Sequence, residues 1–210
     1  MKIFEIITEA EARVLERGEV VTLARGGHVT PLARDTLKER RIVVVSEELA
    51  DETDGILVPE ANIRAVAVAA DHNGAPLARM LEGFLRGRGL AVQPIADGDP
   101  TTWEYPDAAE AVAVLVARGE VDAGIVVDGA GIGSAIAANK VKGVRAAMVT
   151  TETMARYARQ HNGANVLTLG SSLISEDEAR AIVVTWLTTA MREPRYIRRL
   201  AKIRRLERRQ

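Results

Sequence analysis

Residues 121–140, VDAGIVVDGAGIGSAIAANK, have the types and spacing to handle a negative charge. A short apolar run, Gly124 to Val127, stops at a glycine-spaced turn and continues as an alanine-rich helical pattern opening near Ser134. That order predicts strand, turn and helix. Gly129, Gly131 and Gly133, with Ala130 among them, let the backbone come close to a ligand. The N–H groups of the turn and of the helix start would then point at an anion, either a phosphate or a charged reaction intermediate. Asp128 is expected at the strand tip, where open α/β sheets place their chemistry. The spacing is not the dinucleotide fingerprint G-x-G-x-x-G, and no Gly-Lys-Ser/Thr closes a P-loop. A small-molecule anion site is the best local reading; the competing one is a turn that serves only tight packing.

Two further groups carry chemistry. Asp71-His72-Asn73-Gly74 follows one apolar run, and Arg159-Gln160-His161-Asn162-Gly163 ends a helical pattern. Asp71 and His72 either cap a helix or face a ligand. His161 either marks an ordinary helix stop or does the same. The loop Asp97–Pro106, with Trp103, Glu104 and Tyr105, is long and polar enough for a wall or lid. The sheet topology is expected to bring all these groups together.

From Ile63 onward a regular alternation must position them. Strands are expected at Ala65–Ala69, Ala91–Ile95, Ile125–Val127, Arg145–Val149 and Val166–Leu169. Helices are expected at Pro76–Arg86, Ala108–Ala117, Ser134–Lys140 and Thr153–Gln160, followed by Glu176–Met191 and an arginine-rich tail helix from Pro194. Strands alternating with helices imply a five-stranded parallel sheet covered on both faces. Residues 1–60 differ. They predict a helix (Glu9–Arg17), a strand (Val20–Leu23), a turn Gly26-Gly27-His28-Val29-Thr30-Pro31 into a helix (Leu32–Arg40) with Thr30 as cap and Pro31 near its first position, and a strand (Ile42–Val45). Glu47–Asn62 reads as a linker. The expected division is therefore an α+β appendage, 1–60, and a main α/β domain, 61–210.

Composition narrows the function. The 210 residues are 47% apolar but only 3% aromatic, so the core must be built from Ala, Val, Leu and Ile. A net charge of −1 argues against bulk attraction to nucleic acid or membrane. No apolar run approaches the roughly 18 residues of a membrane span, and the N-terminal stretch lacks a signal-peptide apolar block. With no cysteine and three histidines, neither thiolate chemistry nor a multi-histidine metal site is expected. A cytoplasmic protein is the default.

From about Ile63 to Ile203 the chain resembles the ribose-5-phosphate isomerase type B family, which includes the galactose-6-phosphate isomerase subunits. The resemblance is carried by Asp71-His72-x-Gly74, Tyr105-Pro106, the glycine turn through Ala137-Ala138-Asn139-Lys140, Gly143-x-Arg145-Ala146, Arg159-Gln160-His161-Asn162-x-x-Asn165-Val166-Leu167, and Arg195-x-x-x-Arg199. It implies a Rossmann-like doubly wound sheet and a homodimer or tetramer with active sites shared between subunits. It also implies interconversion of aldose and ketose phosphates through an enediolate, without metal or organic cofactor. His161 matches the ring-opening histidine, and Arg195 and Arg199 match the phosphate-binding arginines. His72, Tyr105, Asn162 and the turn residues Gly129, Ala130, Gly131, Gly133 and Ser134 match positions lining the substrate.

The departures from the family pattern matter. One branch of the family has a cysteine base where this chain has Asp128, and another has a glutamate base where it has Ser134. The resemblance therefore assigns catalysis to Asp128, His161 and Asp71, with Asp128 as base if burial lifts its pKa toward neutrality. The loss of both usual bases motivates the rival reading, a non-catalytic sugar-phosphate binding or scaffold protein on the same fold. Separately, Ile7-Thr8-Glu9-Ala10 and residues 28–40 are similar to segments of corrinoid adenosyltransferases from ethanolamine-utilisation systems. That similarity implies a docking module for a bacterial microcompartment shell or cargo protein; an oligomerisation appendage is the alternative.

Overall fold

The computed structural model describes residues 2–40, 42–47, 63–93, 95, 103–191 and 193–209. Most of the expected linker and the greater part of the expected lid, residues 97–102, lie outside the described residues. The chain divides into two compact units, Pro59–Ala190 and a second made of Met1–Val58 with Met191–Gln210. The sequence-based boundary near residue 60 falls beside the first of these limits, while the tail groups with the N-terminal residues.

The smaller unit begins β1 (Ile3–Ile7), α1 (Glu9–Val14), β2 (Val20–Val29), α2 (Pro31–Glu39) and β3 (Val43–Ser46). Its three strands are parallel in the order β1-β2-β3. The expected turn at Gly26-Gly27-His28 is instead a bulge inside β2: Phe4 pairs with Leu23, yet Ile6 pairs with His28. Gly26, at φ 77°, takes the left-handed backbone that lets the extra residues loop out before pairing resumes. The Thr30 hydroxyl accepts from the Ala33 N–H at 3.4 Å, as an N-cap, with Pro31 the first helical residue. Ile7, Ala12, Leu15, Val21, Ala33, Leu37 and Ile42 form its core.

The larger unit contains β4 (Ala65–Ala70), α3 (Ala75–Gly87), β5 (Ala91–Gln93), α4 (Tyr105–Ala117), β6 (Ala123–Asp128), α5 (Ile132–Ala138), β7 (Ala146–Met148), α6 (Glu152–Asn162), β8 (Val166–Gly170) and α7 (Glu176–Thr188). All five strands are parallel, in the order β5-β4-β6-β8-β7. Leu77, Leu81 and Leu85 of α3 pack on one face of the sheet with Ala155 of α6 and Ile182 and Trp186 of α7. Ala108, Val112 and Val116 of α4 and Ala138 of α5 pack on the other. Alanine and glycine bring the layers close in a core poor in aromatics. A Cβ on Gly124 would lie 2.3 Å from Val112 Cγ1.

The tail forms α8 (Pro194–Glu207), and its Tyr196, Ile197 and Leu200 cover Val43 and Val45 of β3. Among the described residues no helix is long and apolar enough to cross a membrane.

Candidate active site

The crossover from β4 to β5 passes over one face of the sheet through α3, and the next helix, α4, covers the other. The strand order therefore reverses between β4 and β6, and open α/β sheets form a ligand crevice beyond the strand ends at such a point. Here those ends carry Asp71 and Asp128. The Asp71 N–H donates to Val127 O at 3.2 Å, so the two aspartates occupy neighbouring strand tips. Both are buried. Gly74 is required by the close approach of these ends: a Cβ there would lie 2.1 Å from Val127 O.

The Asp128 carboxylate is the acceptor for its own turn. One oxygen takes the N–H groups of Ala130, at 2.7 Å, and Gly131; the other takes the Ser134 N–H, at 3.1 Å, and the Ser134 hydroxyl. Gly131, at φ 76°, supplies the left-handed backbone that folds the turn back on the carboxylate. Burial pushes the Asp128 pKa up, but the Ser134 hydroxyl and the Gly131, Ala130 and Ser134 N–H groups outweigh it, and the net shift is down. Burial does not lift Asp128 toward neutrality, because four donors stabilise its charge. And the Ala130, Gly131 and Ser134 N–H groups expected to face a bound anion face Asp128 instead.

Asp71 differs. Its Oδ1 accepts the Gly74 N–H at 2.8 Å, a capping bond ahead of α3, and its other oxygen takes no hydrogen bond among the described residues. His72 is exposed in the turn that follows. Tyr105 opens α4 rather than lying in a loop, and its ring rests over Gly133, where a Cβ would meet Cε2 at 2.7 Å. Gly129 is partly buried and Ala130 exposed at the rim. Asp71, His72, Tyr105 and the whole glycine turn thus share the C-terminal edge of the sheet.

His161 and Asn162 do not. Helix α6 leaves the C-terminal end of β7 and runs back to the start of β8, where the Asn165 N–H donates to Arg145 O just before β7. Asp128, by contrast, pairs with Gly170 at the far end of β8. His161 is therefore displaced from Asp128 by about the length of β8, ~13 Å at 3.3 Å per residue. The expectation that topology would gather all the groups fails for this pair, because a crossover helix in a parallel sheet runs antiparallel to its strands. Arg195 and Arg199 lie in α8 of the smaller unit, where Arg199 is exposed with its guanidinium 5.5 Å from the Tyr196 ring centroid.

Two contributors were missed at the sequence level. Thr168 donates to Gly131 O at 2.7 Å, and the Ser171 hydroxyl lies 3.0 Å from Asp128 O and 3.2 Å from Asn73 O. Ser171 follows β8, so the strand-end rule applied to Gly170-Ser171-Ser172 would have found it. A cavity of ≈270 Å³ beside β4 is lined by Ala70, Ala75, Arg79, Glu82 and, from the expected lid, Trp103 among others, and by none of the residues expected in catalysis or substrate binding. Among the described residues, no group of three or more His, Asp and Glu could hold a metal.

The geometry has relatives. Residues 66–203 match the family model described as Ribose/Galactose Isomerase. The ribose-5-phosphate isomerase B of Escherichia coli is 36% identical over 147 residues, covering 70% of this chain and 99% of that one. A D-erythrulose-4-phosphate isomerase of Pectobacterium atrosepticum is 36% identical over 125 residues, covering 59% and 82%. The crystal structure of Mycoplasma genitalium ribose-5-phosphate isomerase B with bound ribulose-5-phosphate is 37% identical, with a TM-score of 0.64, covering 70% of this chain and 97% of that one. A sheet of this order, with a glycine turn closed at its switch point and a match of this extent, places the chain in the ribose/galactose isomerase family.

Proposed function

We propose that this sugar-phosphate isomerase interconverts a short-chain aldose phosphate and its ketose, ribose 5-phosphate with ribulose 5-phosphate being the first pair to test, and that Asp71 moves the proton. The observation that carries the assignment is the unequal use of two neighbouring buried carboxylates. Asp128 spends its acceptor capacity on its own turn, whereas Asp71 keeps an oxygen for a proton. In this reading Asp71 takes the proton from the carbon beside the carbonyl, an enediolate forms, and the proton returns to the adjacent carbon. Asp128 shapes the turn as a fixed anion with Ser134 buried against it, and His72, Tyr105 and the rim of the turn at Gly129, Ala130 and Gly133 line the substrate. The enediolate charge then draws on donors other than those Asp128 occupies.

Ring opening is assigned to His161, with Asn162 beside it, from a second copy of the chain. The support is geometric: within one subunit His161 lies at the opposite edge of the sheet from Asp71. Ile132 and Ile136, one turn apart on α5 and both exposed, form an apolar patch that suits such a homodimer or tetramer. The phosphate is assigned to Arg195 and Arg199, four residues apart on α8, whose forked guanidinium groups suit phosphate oxygens. The separate core of the smaller unit supports a docking role for residues 1–60, with a microcompartment shell or cargo protein as partner. The protein then works in the cytoplasm or within that compartment.

The saturation of Asp128 also favours the second reading, a binder without turnover. Pure protein mixed with tetrose, pentose and hexose phosphates and assayed for the matching ketose separates the two. Turnover of any one supports the isomerase; saturable binding with no turnover across the panel overturns it.

A further inference from the structure

His161 is mounted by more than its helix. The backbone just after it is clamped by two arginines: Arg145 Nε donates to Gly163 O at 2.9 Å, and Arg159 Nη1 donates to Ala164 O at 2.8 Å. Arg159 is itself buried, with its guanidinium 4.9 Å from the centroid of the fully buried Trp186 ring. Gly163, at φ 56°, closes the helix in the left-handed conformation. These bonds fix where the His161 Cα sits. They act on the backbone, and a proton donor is useful only at a set ring orientation.

Tyr157 bears on that orientation directly. It lies four residues earlier, on the same face of α6, and its ring stacks on the imidazole with centroids 4.5 Å apart and planes 15° from parallel. The Arg156 guanidinium approaches the Tyr157 ring at 5.8 Å, and Asn162 Nδ2 donates to Tyr157 O at 3.4 Å, so the tyrosine is itself restrained. Its ring is nonetheless nearly half exposed and belongs to no core cluster, so it is not there to fill the interior.

We propose that Tyr157 is a positioning residue that sets the orientation of the His161 imidazole through this stack. The proposal rests on the ring-opening role given to His161 above. It concerns only cyclic substrates. Ribose 5-phosphate closes to a furanose through its 4-hydroxyl, whereas a tetrose 4-phosphate carries phosphate on that oxygen and stays open. Loss of the stack should therefore slow the first substrate and spare the second.

The test compares wild type, Tyr157→Phe and Tyr157→Ala in the full chain. The first readout needs no turnover: the His161 ring-proton shifts in NMR spectra, assigned by their loss in His161→Ala. The upfield ring-current shift should persist in Tyr157→Phe and vanish in Tyr157→Ala, with oligomeric mass unchanged. Unchanged His161 shifts in Tyr157→Ala, or an altered mass with intact shifts, overturn the proposal, the latter by making Tyr157 an interface residue. The second readout is kcat, expected to fall roughly 10-fold for ribose 5-phosphate in Tyr157→Ala, to recover in Tyr157→Phe, and to hold for erythrose 4-phosphate. An equal fall for both sugars overturns the positioning role while leaving the isomerase assignment standing. Turnover of neither sugar by wild type counts against the isomerase assignment instead, and the NMR shifts then decide the stack alone.

Discussion

Replacing Asp128 by asparagine separates a structural from a catalytic carboxylate. The amide keeps one acceptor oxygen, enough for the Ala130 and Gly131 N–H groups. Its NH2 then faces the Ser134 N–H, donor against donor, while the Ser134 hydroxyl can turn to accept. A buried donor left unmatched costs ~1–3 kcal/mol, and weakening the charge-assisted bonds adds a similar amount, so the expected loss is on the order of 3 kcal/mol. Because the Asp128 pKa is lowered in the fold, its contribution is complete above about pH 4 and is lost as pH falls through the folded pKa. Urea unfolding should therefore show a large gap between wild type and Asp128→Asn at pH 7, narrowing in acid. Activity should fall much less than in Asp71→Asn, where kcat drops ~10²-fold or more. Asp71→Asn should stay near wild type in stability, since an amide oxygen can still accept the Gly74 N–H. If Asp128→Asn instead unfolds like wild type and loses about 10²-fold in kcat, Asp128 and not Asp71 is the base.

Gly124→Ala places a methyl 2.3 Å from Val112 Cγ1 and 3.1 Å from Val116 Cγ2, so α4 must shift off β6, at a cost of ~1–3 kcal/mol in denaturant unfolding. Arg195→Ala and Arg199→Ala should each weaken sugar-phosphate binding by ~1.5–3 kcal/mol in calorimetry, with unphosphorylated sugar unaffected; no change in either removes them from the phosphate grip. A chain beginning at residue 61 takes Val43 and Val45 from beneath Tyr196, Ile197 and Leu200, so the tail helix should lose helicity by circular dichroism. Retention of full helicity would mean that α8 does not depend on β3.

Much of the fold was legible in the sequence because the core is plain: apolar runs alternate with helical patterns, and the five strands of the larger unit lie where the runs do. Element ends were harder. Tyr105 opens its helix three residues ahead of the apolar pattern, because Glu104 and Asp107 form a capping box there. Gly26 looked like a turn, since a glycine pair reads the same whether the chain reverses or bulges and resumes its strand. In the site, Asp71 and Asp128 were legible as strand tips. The direction of the Asp128 shift was not, because it depends on the turn folding back and on the Ser134 hydroxyl, six residues away. The placement of His161 at the opposite edge follows from chain direction, which the motif does not display.

Catalysis through an enediolate leaves its mark in deuterated water. Ribose 5-phosphate is incubated with the protein and followed by proton NMR, with tetrose and hexose phosphates in parallel. An isomerase working by proton abstraction produces the ketose with solvent deuterium at the carbon that receives the proton, at a rate that collapses in Asp71→Asn. Saturable binding with neither ketose nor loss of the substrate proton signal across the whole panel would rule out enediolate catalysis by this protein.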